Sequence, residues 1–233
     1  MAADEEWDYT GAQEKKYPIL NSYLRHTFRK LEKEGKIAYT ADNRFACFNT
    51  GLTTSNYEEI FAFFEQNKKP DQTTPFYFKA FLKKSDRQII GNFSGNIPSV
   101  ANYFEKPELL IFNPNCEIVV DYDHIIEDHK DRFPACLRGK NAKELRIYLV
   151  GAIDEVKKKV KTNYKIAVPQ YYNSQIQLLL PLCLTGGSPN PDLALVVGKV
   201  DENTYSARTC LTLRMAYNNA RLIVKPQSNW LKP

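Results

Sequence analysis

Apolar residues recur at helical spacing in three segments of the chain. The segment from Pro18 to Leu31 carries one apolar stripe and basic residues on its other faces, which predicts an amphipathic helix. The segment from Asn141 to Val160 has the clearest stripe and begins with an Asn-x-x-Glu capping pattern. The segment from Ser55 to Phe64 begins with a similar pattern, so a third helix is expected there. Shorter helical turns are predicted after Pro98 and before Pro134.

Apolar runs and alternating patterns predict strands elsewhere, and the C-terminal third reads as almost wholly β. The predicted strands are 37–40, 44–48, 76–82, 109–112, 117–120, 166–168, 176–184, 193–197 and 205–215. Short links between the last three indicate an antiparallel meander. The predicted fold class is therefore α+β, with a mainly antiparallel sheet and several packed helices. We expect a single domain at 17–233 after a flexible N-terminal arm at 1–16, in which Trp7 and Tyr9 are the apolar anchors.

Two of these elements allow a second interpretation. The first helix followed by a hairpin at 37–48 is compatible with a winged helix, but no second recognition helix precedes the hairpin. An edge hairpin of an α+β fold is therefore the favoured interpretation. The strand at 76–82 is rich in aromatic residues, which stack bases in RNA-recognition modules but more often belong to a core.

Composition narrows the classes of protein that the chain can belong to. It has 233 residues, 43% of them hydrophobic, which is enough for a substantial core. The net charge of +5 permits a polyanionic partner but is weaker than in a dedicated nucleic-acid binder. Five widely spaced cysteines without a Cys-x-x-Cys pair favour reduced thiols, so a cytoplasmic location is expected. No apolar stretch has the length of a membrane span, and no membrane partner is expected.

The densest group of hydrogen-bonding side chains follows the last predicted strand, at Tyr217, Asn218, Asn219 and Arg221. Amide and guanidinium groups in an apolar neighbourhood are costly unless they are partnered. They can form a structural polar network, or they can bind a ligand, since Asn reads adenine edges and Arg grips phosphate. Four adjacent polar side chains exceed what a turn needs, which favours a binding role.

A second group of candidates lies around His124, which follows a strand end. Asp128 is four residues away on the same helical face and can orient the imidazole, while Arg132 can neutralise a phosphate. Histidine acts as a general acid or base near neutral pH. A structural role at the turn is the alternative. His129 is five residues from His124 and falls on a different helical face, so no metal site is predicted.

A third candidate is the small polar loop at 49–54, which is predicted to precede a helix. The free N–H groups at a helix N-terminus can bind an anion. The loop lacks the Gly-x-x-x-x-Gly-Lys sequence of a phosphate-binding loop, and a simple helix cap is the alternative.

Several segments resemble an uncharacterised bacterial family of domains of unknown function. Segments 191–197, 211–222 and 230–231 look like its C-terminal signature, with Ala-Tyr-Asn-Asn-Ala-Arg the most specific string, and 44–51 and 124–134 are also similar. Some members of that family are joined to cold-shock or LOTUS-type RNA-binding modules. The resemblance implies one domain of about this length and a link to RNA. It supplies no catalytic residues, and this chain contains no such accessory module.

Together these patterns predict a protein that binds RNA or a nucleotide in a cleft where the three polar segments converge. The candidate ligand-binding residues are Arg44, Asn49, Thr50, Tyr217, Asn218, Asn219 and Arg221. One alternative is a metal-independent phosphodiesterase or nucleotide hydrolase with His124 as general acid or base and Arg132 as its second catalytic residue. Another is a non-catalytic protein-interaction module. No cofactor is predicted, and the patterns do not define the oligomeric state.

Overall fold

A computed structural model describes residues 1–9, 16–68, 74–186 and 190–233. These residues form two compact units, each with its own sheet. The first unit holds the described residues up to 8 and those from 16 to 102, and the second holds Tyr9 and the described residues from 103 onward. None of the helices in the described ranges combines the length and hydropathy needed to cross a bilayer.

The first unit consists of an antiparallel sheet with helices before and after it. Its elements are α1 (Pro18–Lys33), β1 (Ala38–Tyr39), β2 (Phe45–Thr53), β3 (Glu59–Gln66), β4 (Phe76–Lys83) and α2 (Arg87–Phe93). The strands lie in the order β1-β2-β3-β4, so β4 is an edge strand. The predicted first helix, first hairpin and aromatic strand are confirmed.

Both faces of this sheet are apolar. On one face Cys47, Phe61 and Phe63 pack with Ile89 and Phe93 of the helix that follows the sheet. On the other face Phe48 and Ala62 pack with Leu31 of α1. Alternate residues of one strand therefore enter different cores, which explains why the sequence of β3 reads as a continuous apolar run.

The helix predicted at 55–64 is wrong, because Glu59–Gln66 is strand β3. The capping pattern closes a turn instead. The Thr54 hydroxyl accepts hydrogen bonds from the N–H groups of Asn56 and Glu58, and Tyr57 has a φ of +62°. A Thr or Ser oxygen satisfies a tight turn as well as a helix start, so the pattern alone does not distinguish them.

Two other local predictions near the middle of the chain are corrected. Residues 98–106, all of them described, contain no helix, so the helical turn predicted after Pro98 is wrong. The segment predicted as a strand at 109–112 begins with a 3-10 turn, Pro107–Leu110, because Pro107 suits the first turn of a helix.

The second unit contains a mixed sheet covered by helices. Its elements are β5 (Glu117–Val120), α3 (Tyr122–Glu127), α4 (Ala135–Arg138), α5 (Ala142–Thr162), β6 (Val168–Tyr172), β7 (Gln175–Leu182), β8 (Leu193–Lys199), β9 (Thr204–Leu211) and α6 (Leu213–Arg221). The order is β5-β9-β8-β7-β6, with β5 parallel to β9 and the other neighbours antiparallel. The predicted meander and the capping box of α5 are confirmed.

The last strand ends earlier than predicted. It stops at Leu211, and the Thr212 side chain accepts a hydrogen bond from Met215 N–H to begin α6. The strand predicted through residue 215 is therefore wrong over its last four positions, because Thr212 is a good N-cap residue. As a result, the polar run from Tyr217 to Arg221 lies on a helix.

The fold as a whole is α+β, as predicted, with a four-stranded antiparallel sheet, a five-stranded mixed sheet and six α-helices in the described residues. Trp7 and Tyr9 are buried, so both expected anchors of the N-terminal segment are in place. The flexibility of that arm and the single-domain organisation stay predictions.

Candidate functional site

The structure places the candidates Asn49 and Thr50 inside β2 rather than in a loop. Asn49 donates from Nδ2 to Glu59 Oε1 at 2.8 Å and accepts from Gly51 N–H at 3.0 Å. The Thr50 hydroxyl donates to the carbonyl of Ile60 at 2.6 Å. Both side chains are buried, so they stabilise the β2–β3 pair where its register shifts. The segment that follows is strand β3 and not a helix, so the helix N-terminus that was expected to bind an anion here does not form.

Arg44 precedes β2 and is more than half exposed. Its Nε lies 4.0 Å from Glu65 Oε1, and its guanidinium stands 4.9 Å from the centre of the Phe45 ring. Arg44 is available to a ligand, but Glu65 partly neutralises it.

The polar run on α6 faces inward. Asn219 Nδ2 donates to Gln170 Oε1 at 3.1 Å, and Gln170 Nε2 donates to Gln177 Oε1 at 3.0 Å. Tyr217 is only 1% exposed and Arg221 is also buried. This arrangement is a polar network between a helix and the sheet, which was the structural alternative for the run.

Asn218 connects the same helix to the N-terminal segment. Burial raises the pKa of the Tyr9 phenol, and a hydrogen bond from Asn218 and the charge of Arg214 oppose that rise. The Arg214 guanidinium lies 4.1 Å from the centre of the Tyr9 ring. The side-chain oxygen of Asn218 is buried without a hydrogen-bond partner in the described part of the chain.

The His124 turn and the α6 run do not share one face of the second sheet. Ile125 of α3 belongs to the core that joins α5 to Leu178, Leu180 and Leu182. Gln177, which alternates with those residues, faces the opposite way, where Gln170 meets Asn219 of α6. The predicted convergence of His124 with Tyr217 is therefore wrong. The Arg44 and Asn49 segment belongs to the other unit, and its convergence with either group stays a prediction.

His124 has the predicted partner. Its Nδ1 lies 2.5 Å from Asp128 Oδ2, and its ring meets that of His129 edge to face with centroids 5.1 Å apart. Partial burial lowers the pKa of His129, and the charges of Arg132 and His124 act in the same direction. Two imidazoles and a carboxylate therefore occupy one corner, although His124 and His129 were expected on different helical faces. The helix ends at Glu127, which brings His129 back toward His124.

Arg132 is engaged with the backbone of β9. Its Nη1 donates to the carbonyl of Cys210 at 2.7 Å and to the Thr209 hydroxyl at 3.0 Å. Strand β5 pairs with β9 only as far as Ala207, so Arg132 bonds to the part of β9 that β5 leaves uncovered. This is a structural position for Arg132 rather than a clear phosphate-binding one.

The first unit contains a groove of about 370 Å³. It lies between α1 and the α1-facing side of the sheet, and its walls are almost wholly apolar. The lining residues are Asn21, Leu24, Arg25, Phe28, Phe48, Ala62, Phe64, Phe78 and Phe81.

Five phenylalanine rings form a continuous chain along this groove. Successive centroids are 4.8–5.8 Å apart in the order Phe28, Phe48, Phe64, Phe78 and Phe81. Phe48 is buried, whereas Phe78 is 49% exposed, Phe81 37% and Phe28 36%. The chain of rings is therefore partly exposed at both ends, and the inner rings of Phe48 and Phe64 hold the outer ones in place.

One basic residue of α1 lines the largely apolar groove. Arg25 lines it from α1, with Nη2 donating to Asn21 Oδ1 at 3.3 Å, and Arg29 follows one turn later on the exposed surface. Burial lowers the pKa of His26, and the charges of Arg29 and Arg25 add to the effect. The aromatic pattern of β4 was visible in the sequence, but its exposure depends on β4 being an edge strand, which the pattern does not show.

The described residues contain no group of three or more His, Cys, Asp or Glu side chains that could hold a metal ion. All five cysteines are free thiols. Burial raises the pKa of Cys47 and of Cys210 to about 12, so both are unreactive thiols at neutral pH.

Comparison with known sequences identifies the family. The profile of a family described as Domain of unknown function (DUF3825) matches residues 1–230, so the chain belongs to that family. No curated protein and no solved structure matches the chain. This assignment confirms the resemblance to a family of domains of unknown function, and it specifies no ligand. The bacterial origin and the link to RNA-binding modules stay predictions.

Proposed function

We propose that this DUF3825 protein binds single-stranded RNA or a nucleotide, with bases stacked on the phenylalanines of the α1 groove. The observation that carries the proposal is the chain of five rings with Phe28 partly exposed at one end and Phe78 and Phe81 at the other. Arg25 lines the same groove. Stacking of a base on an aromatic side chain contributes about 1–3 kcal/mol and tolerates sequence variation.

The positive charge of α1 beside the groove can attract the phosphate groups of RNA. Arg25 lines the groove, and α1 also carries Arg29, Lys30 and Lys33 against a single acidic residue, Glu32. Lys30 pairs with Glu34, so the arginines are the better phosphate ligands. Basic side chains beside an aromatic surface are the arrangement that binds single strands without strict sequence readout.

This proposal keeps the RNA or nucleotide partner predicted from the sequence but moves the site. The side chains of Asn49, Thr50 and Arg221 are buried within the protein, and Asn219 is half-buried. Asn49, Thr50 and Asn219 make the internal hydrogen bonds described above. A ligand that used them would have to break those bonds, which costs about 1–3 kcal/mol for each group left unpaired. The exposed phenylalanines require no such rearrangement.

The experiment is the affinity for a fluorescent single-stranded oligoribonucleotide over a range of salt concentrations. We expect Phe28→Ala to weaken binding by about 10-fold, in line with the loss of one stacked base. Arg25→Gln should weaken binding and reduce its salt dependence by about one phosphate contact. Phe104→Ala and Arg87→Gln are matched controls, because both residues are exposed but neither lines the groove. Equal losses in the controls, or no binding, would reject the proposal.

An apolar peptide is the competing occupant of the groove, as expected for a protein-interaction module. Its binding would depend on Phe28 but hardly on salt, because the lining is nearly all apolar. The salt series therefore separates the two occupants.

A second candidate function is metal-independent cleavage of a phosphodiester, and the contact between His124 and Asp128 favours it. In RNA cleavage, neutral His129 would accept the 2′-hydroxyl proton while the 2′-oxygen bonds to phosphorus. Protonated His124 would donate its proton to the departing 5′-oxygen as the P–O bond breaks, leaving a 2′,3′-cyclic phosphate. Turnover that survives a chelator and His26→Ala but is lost in His124→Ala would support this activity. Unchanged turnover in His124→Ala would reject it.

We also propose a reducing compartment, the cytoplasm, as the location. Five unpaired thiols, three of them buried, support this assignment.

A further inference from the structure

Within the described ranges, no strand pairs with the outer backbone edge of β4. This strand is the last in the order β1-β2-β3-β4 and is eight residues long. Its side chains include Tyr77 and Phe78, which are nearly half exposed, and Phe81, which is 37% exposed. An edge strand with exposed aromatics is a template for pairing with another strand.

Two hydrogen bonds at the ends of β4 show which of its backbone N–H and C=O groups point toward β3 and which point away from it. Asn67 N–H donates to the Pro75 carbonyl at 2.8 Å, and Lys84 N–H donates to the Glu59 carbonyl at 3.0 Å. Backbone groups alternate in direction along an antiparallel strand. The backbone groups of Pro75 and Lys84 point toward β3, so those of every second residue from each end point away from it. The residues whose backbone groups point outward are therefore Phe76, Phe78, Phe81 and Lys83. A register shift between Phe63 and Phe64 absorbs the odd residue between the two counts.

We propose that two copies of this chain pair antiparallel through β4, about a twofold axis between Lys79 and Ala80. In this register Phe78 lies opposite Phe81 of the second copy, and Phe76 lies opposite Lys83. Every outward backbone group then meets an outward group, as an antiparallel ladder requires. The two four-stranded sheets become one sheet of eight strands, with an isologous interface.

The side chains are also compatible with this register. Phe78 pairs with Phe64 and Phe81 pairs with Ala62 within the sheet, so both rings lie on the face that carries α1. Residues opposite each other in a ladder share a face, so each Phe78 ring would contact a Phe81 ring of the second copy. The shift in register is what places two residues three apart on the same face.

The charge on the strand does not oppose this pairing. Lysines commonly protect sheet edges, but here each is paired with a glutamate of its own chain. Lys79 lies 2.5 Å from Glu65, and Lys84 lies 2.6 Å from Glu59. Lys83 is 3.6 Å from Glu58. The register also sets Lys79 opposite Ala80 and Lys83 opposite Phe76, so no lysine faces a lysine.

The first test is the mass of the full chain in solution by light scattering. The proposal expects twice the 26.9 kDa of one chain. Phe81→Pro removes an outward N–H but leaves the inward bonds of its neighbours, so it should return the mass to that of a monomer. Wild-type protein that stays monomeric at its highest soluble concentration would overturn the proposal.

The second test fixes the register and does not require the proline variant to fold. In a Cys136→Ser background, which removes the exposed thiol, an oxidised mixture of Phe78→Cys and Phe81→Cys chains should form a disulfide-linked dimer. Opposite residues in a hydrogen-bonded pair are about 5.5 Å apart, within disulfide reach. Phe78→Cys alone should not cross-link, because its two copies are roughly three residues apart along the strands. Tyr39→Cys on edge strand β1 is the control, and equal cross-linking in all samples would overturn the register.

Discussion

Phe64 and Phe78 meet edge to face across β3 and β4, with ring centroids 5.7 Å apart and an interplanar angle of 74°. Phe64 packs against the core beneath α1, and Phe78 is half exposed at the sheet edge. The contact therefore connects the interior of the first unit to its surface. Because the partly buried ring of Phe64 fixes the ring of Phe78, the aromatic floor of the groove loses little side-chain entropy on binding a base.

Gly51 is the first position at which a small change should affect stability. It has a φ of +73°, and a Cβ added there would lie 2.7 Å from the Tyr23 hydroxyl, which itself donates to the Thr50 carbonyl. We expect Gly51→Ala to lower the free energy of unfolding by about 2–4 kcal/mol, from left-handed strain and overlap together. Urea unfolding measures this. Gly91→Ala, in a helix with open space around it, is the control and should be neutral or stabilising.

The network on α6 should act on stability and not on ligand binding. Asn219→Ala leaves Gln170 Oε1 buried without its donor, which should cost about 1–3 kcal/mol. The double variant Asn219→Leu with Gln170→Leu should cost less than the sum of the single changes, because it removes both partners. Chemical denaturation of the wild type, the two single leucine variants and the double variant gives the coupling free energy. If a stable Asn219→Ala protein lost its affinity for RNA, that result would instead indicate that α6 takes part in RNA binding.

Arg132 should also be a stability residue. Arg132→Gln removes charge-assisted hydrogen bonds to Cys210 and Thr209, so we expect the free energy of unfolding to fall by about 1–3 kcal/mol. Thermal unfolding monitored by circular dichroism measures the change. An unchanged melting temperature together with lost phosphodiester turnover would instead assign Arg132 to the chemistry.

Stability should fall as the pH drops below about 6.5, the ordinary pKa of histidine. Burial lowers the pKa of His26 and of His129 in the folded protein, with help from Arg29 and Arg132 respectively. The unfolded chain therefore binds protons first, so the stabilisation is complete above 6.5 and is lost as the pH falls through the folded pKa values. Urea midpoints between about pH 8 and pH 5 measure the slope. His129→Asn should make it shallower, and an unchanged slope in that variant would exclude His129 as a contributor.

The elements with their own local signal could be predicted from the sequence. The spacing of apolar residues and the Asn141 cap were sufficient for α5, and turn chemistry with alternation was sufficient for the meander. The sequence was misleading at Glu59–Gln66, because a strand buried on both faces has no period of two. It was also misleading after Leu211, where Thr212 begins a helix within an alternating pattern.

The candidate site was harder to predict, because exposure is a property of the fold. The amide side chains of Asn49 and Asn219 are of a type that often binds ligands. In the structure they form hydrogen bonds with Glu59 and Gln170 of the same chain. Phenylalanine is a typical core residue, yet Phe78 lies half exposed on an edge strand. Which strand is at the edge depends on long-range pairing, and local patterns do not contain that information.

Photo-cross-linking with an oligoribonucleotide that contains 4-thiouridine tests the central claim most directly. The account predicts cross-linked peptides from α1 and β4, centred on Phe28, Phe78 and Phe81, and their loss in Phe28→Ala. Cross-links confined to the α6 helix, or cross-links that persist unchanged in Phe28→Ala, would contradict a binding site in the α1 groove.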